Sequence, residues 1–201
     1  MSDVAMNQKL AVVATIKNGI AIGAKNIGSI LVNILLWVLT IWIPYLNVGT
    51  TIGLAVGIVS KASRGEIISP TEIFNPEYRK YMGEFFLTSG LAGVGIAIAT
   101  AFLAIPGIVL SIAWSQAVLI AVDKGKNPSE AISLSNKCTY GNKGRMFGVY
   151  LLFTLVFGIV AGLMTLIPGI GFVLAVVVFL FALFVSIGIQ ASIYRQLTEN
   201  I

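Results

Sequence analysis

Histidine is absent from this chain, cysteine occurs once, and charge is scarce: 13 Lys or Arg and 8 Asp or Glu among 201 residues. Each shortage excludes something. With no histidine and Cys138 alone, there is no basis for a zinc or haem site and no internal disulfide, so neither metal nor cofactor is expected. Acid–base chemistry near neutral pH would fall to shifted carboxylates, and no nucleophile–base pair is visible. Charged residues make up 10% and hydrophobic ones 57%, with a mean hydropathy of +0.95. A soluble domain averages roughly 25% charged. So few charges cannot cover a water-soluble surface of this size, and the chain reads as an integral membrane protein. MSDVAMNQKL has no compact basic start or small-residue cleavage site, so it does not read as a signal peptide. Cys138 is expected to be a small helix residue facing a reducing compartment.

The shortage of charge is patterned. Residues 26 to 60, 85 to 122 and 146 to 194 carry none. Each run is too long for one span of about 20 residues, and each holds an Ile-Pro pair near its middle, at Pro44, Pro106 and Pro168, spaced by 62. Proline suits the first turn of a helix and disfavours helix in the residue before it, so these pairs read as hairpin tips. The expected fold is all-α, with six transmembrane helices at 27 to 43, 47 to 61, 84 to 104, 107 to 123, 146 to 166 and 170 to 194.

A single membrane domain follows: an N-terminal amphipathic helix over 1–26, hairpins over 27–61, 84–123 and 146–194, cytoplasmic helical loops over 62–83 and 124–145, and a tail over 195–201. Every charge then lies on one side, which the positive-inside rule makes cytoplasmic in a cell membrane, with both termini there. Trp42 and Tyr45 fall at the outer interface. The first hairpin has 35 charge-free residues where two spans need about 40, so it is cramped, and a re-entrant hairpin would keep the same topology. Equal proline spacing suggests three copies of one unit, or three ordinary hairpins evenly spaced.

The loops carry helix starts. In ISPTEIF, Ser69 is placed as N-cap, with Pro70 first and Glu72 third; in KNPSEAI, Asn127, Pro128 and Glu130 repeat the arrangement, worth about 1 kcal/mol each. Asn75-Pro76-Glu77 restarts a helix toward the third span, and Gly141 is a C-terminal stop for the helix after Pro128. These loop helices, like residues 4 to 25, are expected along the inner membrane surface. There Lys9, Lys17 and Lys25 would face head groups, and Leu10, Val13, Ile16 and Ile20 acyl chains.

The run IPGIVLSIAWSQAVLIAVDKGKNPSEAISLSNKCTYGNKGRMF, with the closing ASIYRQL, resembles the membrane domain of glycerophosphoryl diester phosphodiesterases and related uncharacterised multispan proteins of bacteria and archaea. The matching residues are Pro106, Gly107, Asp123, Ser129, Glu130, Ala131, Ser135, Gly141, Lys143, Arg145, Phe147, Ala191, Tyr194 and Leu197, within about 70 to 198. The resemblance implies a six-helix fold and little about activity. The catalytic domain of those phosphodiesterases, with its metal-binding acidic and histidine residues, has no counterpart here.

Small residues recur every fourth position at Gly49, Gly53 and Gly57, at Gly158 and Gly162, and at Gly93 with Ala97 and Ala101. That spacing lets another backbone approach, either within one bundle or, for the Gly49 face, between subunits. Polar residues within the spans are few: Asn33, Asn47, Ser111, Ser115, Gln116, Thr154 and Gln190. They serve as interhelical glue or line a path. No charge lies at membrane depth, which argues against proton relays, voltage sensors and ion-coupled carriers.

The first functional expectation is a non-enzymatic subunit, oligomeric or accessory to a complex, that organises the membrane. Its partners would be membrane lipids, including anionic inner-leaflet head groups facing the net +5 charge, and further copies of itself. The second is a channel or carrier for small neutral or amphiphilic molecules, with Asn33, Ser115 and Gln116 on its path. A head-group enzyme would require Glu72, Glu77, Glu130 or Asp123 to converge. Nucleic acid is not expected, since no basic cluster is interleaved with stacking aromatics.

Overall fold

The computed structural model describes residues 9 to 199, which form helices and no strand. Helix α1, Val12–Lys25, bends by 71° at Asn26 into α2, Ile27–Thr40. After the tip at 41–43, α3, Pro44–Ile52, runs through a π-helical turn, Gly53–Gly57, into α4, Ile58–Ser63. A loop with a 3-10 turn, Glu72–Phe74, leads through α5, Glu77–Lys80, to α6, Met82–Phe102. The chain turns on extended Leu103 into α7, Ala104–Ala113, and α8, Ala117–Asp123. Helix α9, Pro128–Thr139, folds back on α8, and a final hairpin joins α10, Lys143–Thr165, to α11, Gly171–Thr198.

Four helices are long and apolar enough to cross a bilayer: α6, the combined α7–α8, α10 and α11. Helices α1 and α2 reach that standard only as one bent pair. Each has 14 residues, about 21 Å of helix against roughly 30 Å of hydrocarbon. The segment 44–63 is not among the candidates. It carries Asn47, Thr50, Thr51, Ser60 and Lys61, and buries Ile52, Val56, Ile58 and Val59 inside the protein. By length and composition, then, the six expected spans reduce to four or five, and the shortfall is in the cramped first hairpin.

The three tips differ although their prolines are evenly spaced. Pro44 opens α3 after extended Ile43, and Pro106 lies in the first turn of α7. Pro168 stands in the loop before α11, where Gly169 adopts φ +82°, a left-handed turn that suits a residue without Cβ. Hairpin tips carry no charge, and the ionic residues gather at the opposite ends.

Packing is concentrated at that charged end. One core joins Val59 and Ala62 of α4, Leu119 and Ile120 of α8 and Tyr194 of α11, with Ile68 and Ile73 from the loop. A second joins Leu10, Met146, Val149, Val185, Ile189 and Ile193. Helix α11 divides accordingly: Phe172, Val173, Val177 and Phe179 are exposed, while Val185, Ile189, Ile193 and Tyr194 are buried.

Several local expectations need correction. Residues 4 to 8 of the N-terminal helix lie outside the described residues, and α1 begins at Val12. Thr15, Gly19 and Gly23 form its buried face, against α11. Leu10 is buried rather than lipid-facing: its N–H donates to Asn142 Oδ1 at 2.8 Å, and its carbonyl accepts from Arg145 Nη1 at 3.3 Å. Val13 and Ile20 do remain exposed. Ser69 and Glu72 make no capping box; only the 3-10 turn forms, without a side-chain cap, because Glu72 is drawn to Lys61. Asn127 does cap α9, accepting from Glu130 N at 2.9 Å. Helix α9 packs against α6, α7 and α8, and Gly141 follows it at φ +78°.

Candidate functional site

The span formed by α7 and α8 is interrupted at Trp114, Ser115 and Gln116. Ser115 N reaches back only to Ile112 O, at 3.3 Å, and Ala117 N to Trp114 O, at 3.0 Å. Two backbone groups therefore lose their helical partners. Helix α9 supplies both: Ser135 Oγ donates to Ala113 O at 2.8 Å and accepts from Gln116 N at 3.2 Å. Thr139 Oγ1 adds a bond to Ala113 O at 3.3 Å. A broken helix is tolerated at membrane depth only where such groups are satisfied again.

Side-chain amides meet at the break. Gln116 is fully buried; its Nε2 donates to Ser115 Oγ at 2.9 Å, and its Oε1 accepts from Gln190 Nε2 at 3.4 Å. Gln190 Oε1 accepts from Tyr150 OH at 3.0 Å. Three of the polar residues read from the sequence, Ser115, Gln116 and Gln190, thus converge. The sequence reading named Ser135 only among the residues of the family resemblance, with no role, and missed Thr139 and Tyr150; the apolar-and-small face of α9 was the available signal.

Asn33 is elsewhere. Its Nδ2 donates to Ser29 O and Ser69 O, both at 2.8 Å, and its Oδ1 accepts from Ile73 N at 3.0 Å. Asn26, two turns earlier, accepts from Ile68 N at 3.3 Å. Together they fasten the loop after α4 to α2, and Asn33 does not join the cluster at the break. Asn47 is satisfied within the first hairpin, accepting from Thr51, which in turn accepts from Trp37 Nε1.

At the charged end two carboxylates share a pattern. Glu72, buried, meets Lys61 Nζ at 2.8 Å and accepts from Tyr78 OH at 2.6 Å. Asp123 meets Arg64 Nη1 at 2.8 Å and accepts from Tyr194 OH, also at 2.8 Å. Burial, with Glu72 beside it, holds the Tyr78 hydroxyl well above its ordinary range, so it stays a donor. Burial opposes the charge on Arg64, but hydrogen bonds to Glu66 and Asp123 outweigh it and raise its pKa. Glu77 pairs with Lys80 and Glu130 with Lys126. The four carboxylates named from the sequence are thus held by four different cations. A cleft of about 380 Å³ lies here, lined by Arg64, Asp123, Lys124, Tyr194 and Arg195 among others.

The glycines separate into two kinds. Gly49, Gly53 and Gly57 receive Arg79, Ile73 and Tyr78 of the same chain, so their face is filled internally and is not a subunit contact. Around Gly158 and Gly162 there is open space. The tightest helix contact was not read from the sequence: Gly19 and Gly23 of α1 meet Gly188, Ile189 and Phe184 of α11 so closely that no Cβ fits. Its signal was present as Gly19 and Gly23 four residues apart.

The fold and its polar core define an all-helical protein with several helices able to span a membrane. No family model, curated protein or solved structure matches the chain.

Proposed function

We propose that this is a non-enzymatic multispan membrane protein, an oligomeric or accessory subunit that organises the membrane or a complex within it. In this reading it lies in the cell membrane with both termini cytoplasmic, the first hairpin dips into the bilayer as the remaining pair of six helices, and the chain belongs to the superfamily it resembles. The supporting observation is how little of three of the four candidate spans is covered: 11% of the apolar window is buried in α6, 11% in α10 and 22% in α11, against 50% in α7–α8. In lipid, association rests on close packing rather than on hydrophobicity, and Gly158 and Gly162 leave room for it. The test is cysteine cross-linking in native membranes, with Gly158→Cys and Gly162→Cys introduced beside Cys138→Ala. Cross-linked dimers or a captured neighbour are expected. A monodisperse monomer at every concentration, with no partner and no lipid, refutes the proposal.

A carrier for amphiphilic molecules is the second reading, favoured by amides gathered at a discontinuous helix, as at many transporter sites. Liposome flux with Gln116→Leu tests it. A path residue changes flux at unchanged stability, whereas a purely structural amide changes stability.

A further inference from the structure

Between α2, the π-helical turn and α11 lies an open cavity of about 350 Å³, lined by Ile34, Trp37, Leu54, Val59, Ile187 and Gln190, among others. Its walls are apolar, and their polar atoms are mostly spent: Trp37 Nε1 donates to Thr51, and Ser186 Oγ to Leu183 O. Gln190 is the exception. Its Nε2 carries two hydrogens and has one partner among the described residues, Gln116 Oε1, at 3.4 Å. An apolar pocket with one convergent donor is the form of a ligand site, and this volume is in the usual range.

The surroundings specify the ligand. The flanking helices present Leu31, Leu35 and Val38 of α2, and Val176, Phe179 and Leu180 of α11, to the outside. The inference rests on the membrane reading proposed above, in which the medium at the mouth is acyl chain. An amide N–H facing hydrocarbon is costly unless an acceptor meets it. Gln190 precedes Arg195, the first charge on α11, by about 7.5 Å of helix. A head-group layer extends roughly 5 to 7.5 Å beyond the hydrocarbon, so with Arg195 among the head groups Gln190 falls at the level of the ester carbonyls.

We infer that this cavity binds one acyl chain of a membrane glycerolipid, whose ester carbonyl accepts from Gln190 Nε2. The site deepens the carrier reading but does not depend on transport, because it concerns occupancy and not flux. A protein that holds the lipid and never moves it satisfies the inference while failing the carrier test.

The full chain in nanodiscs of phosphatidylcholine and phosphatidylglycerol, doped with a phosphatidylglycerol bearing a photoactivatable diazirine chain, provides the assay. Label is expected on peptides holding 54–59 and 183–190 in excess over the exposed 91–98 face of α6. Ala55→Trp fills the cavity and should remove that excess while labelling of α6 stays. Gln190→Leu should retain co-purified glycerolipid about fivefold more weakly, the effect of one hydrogen bond. Circular dichroism confirms folding, and Ser186→Phe replaces Ala55→Trp if the latter does not fold. Three results overturn the inference: equal labelling of the cavity and α6, an excess that survives a folded cavity-filling variant, or Ala55→Cys cross-linking two copies through the cavity. Co-purification of free fatty acid in place of glycerolipid overturns it as well.

Discussion

Replacing Ser135 by alanine should cost more than an ordinary contact between membrane helices. Its hydroxyl bridges the break in the α7–α8 span, donating to Ala113 O and accepting from Gln116 N. Alanine leaves Gln116 N–H without a partner at a residue with no exposure, while Ala113 O keeps Thr139 Oγ1 at 3.3 Å. One orphaned buried donor costs about 1 to 3 kcal/mol, against about 0.6 kcal/mol for an average interhelical hydrogen bond in lipid. Thr139→Val should cost less, because Ser135 still serves Ala113 O. The double variant should lose more than the sum of the two, since only then is the carbonyl abandoned too. Ser135→Thr keeps a hydroxyl and should recover most of the loss. Equilibrium unfolding in mixed maltoside and dodecyl sulfate micelles, followed by circular dichroism, gives each value. A Ser135→Ala cost no larger than the interhelical average, or a Thr139→Val cost exceeding it, refutes this account of the break.

Lys61→Met strands the buried Glu72 carboxylate and should cost about 3 to 5 kcal/mol, whereas Glu72→Gln, which removes the charge and keeps an acceptor for Tyr78, should cost clearly less in the same unfolding assay. Asn33→Leu unfastens Ser69 O and Ile73 N together; proteolysis of the loop after α4 should accelerate with little change elsewhere. Gly188→Val cannot be seated against Gly19 and should free α1 from α11, read as new reactivity of a cysteine placed at Thr15. Burial pushes the Cys138 thiol from 9.0 up to about 11. Folding stability from this group is present below pH 9.0 and is lost as pH rises through about 11, because the unfolded chain ionises first. Cys138→Ala should flatten that alkaline decline in a pH series of unfolding midpoints.

What the sequence disclosed was what depends on local composition. Charge-free runs mark α6, α10 and α11, and Asn127 with Pro128 marks the start of α9, since span length and helix caps are decided within a few residues. The first hairpin is less apolar than its lack of charge suggests, because Asn47, Thr50, Thr51 and Ser60 lower a helix's preference for lipid. Glu72 was misassigned because a carboxylate placed to cap a turn is equally able to meet a lysine eleven residues earlier, and only the fold puts Lys61 there. The partners of Asn33 were illegible for the same reason: Ser69 and Ile73 lie 36 and 40 residues away. Glycine spacing identified helix faces that accept close neighbours without saying which neighbour arrives. Gly49 received Arg79 of the short α5, and Gly19 received Ile189 of α11.

The seating of α1 on α11 also bears on how the chain is made. Gly19 and Gly188 are 169 residues apart in the chain, so during synthesis α1 emerges long before the surface of α11 that receives it exists. Until α11 is made, α1 has only the smaller contact with α10 and the Leu10 bonds to Asn142 and Arg145 to hold it. Seating of α1 is therefore a late step of folding, and a chain cut short before Phe184 should leave α1 without its α11 partner.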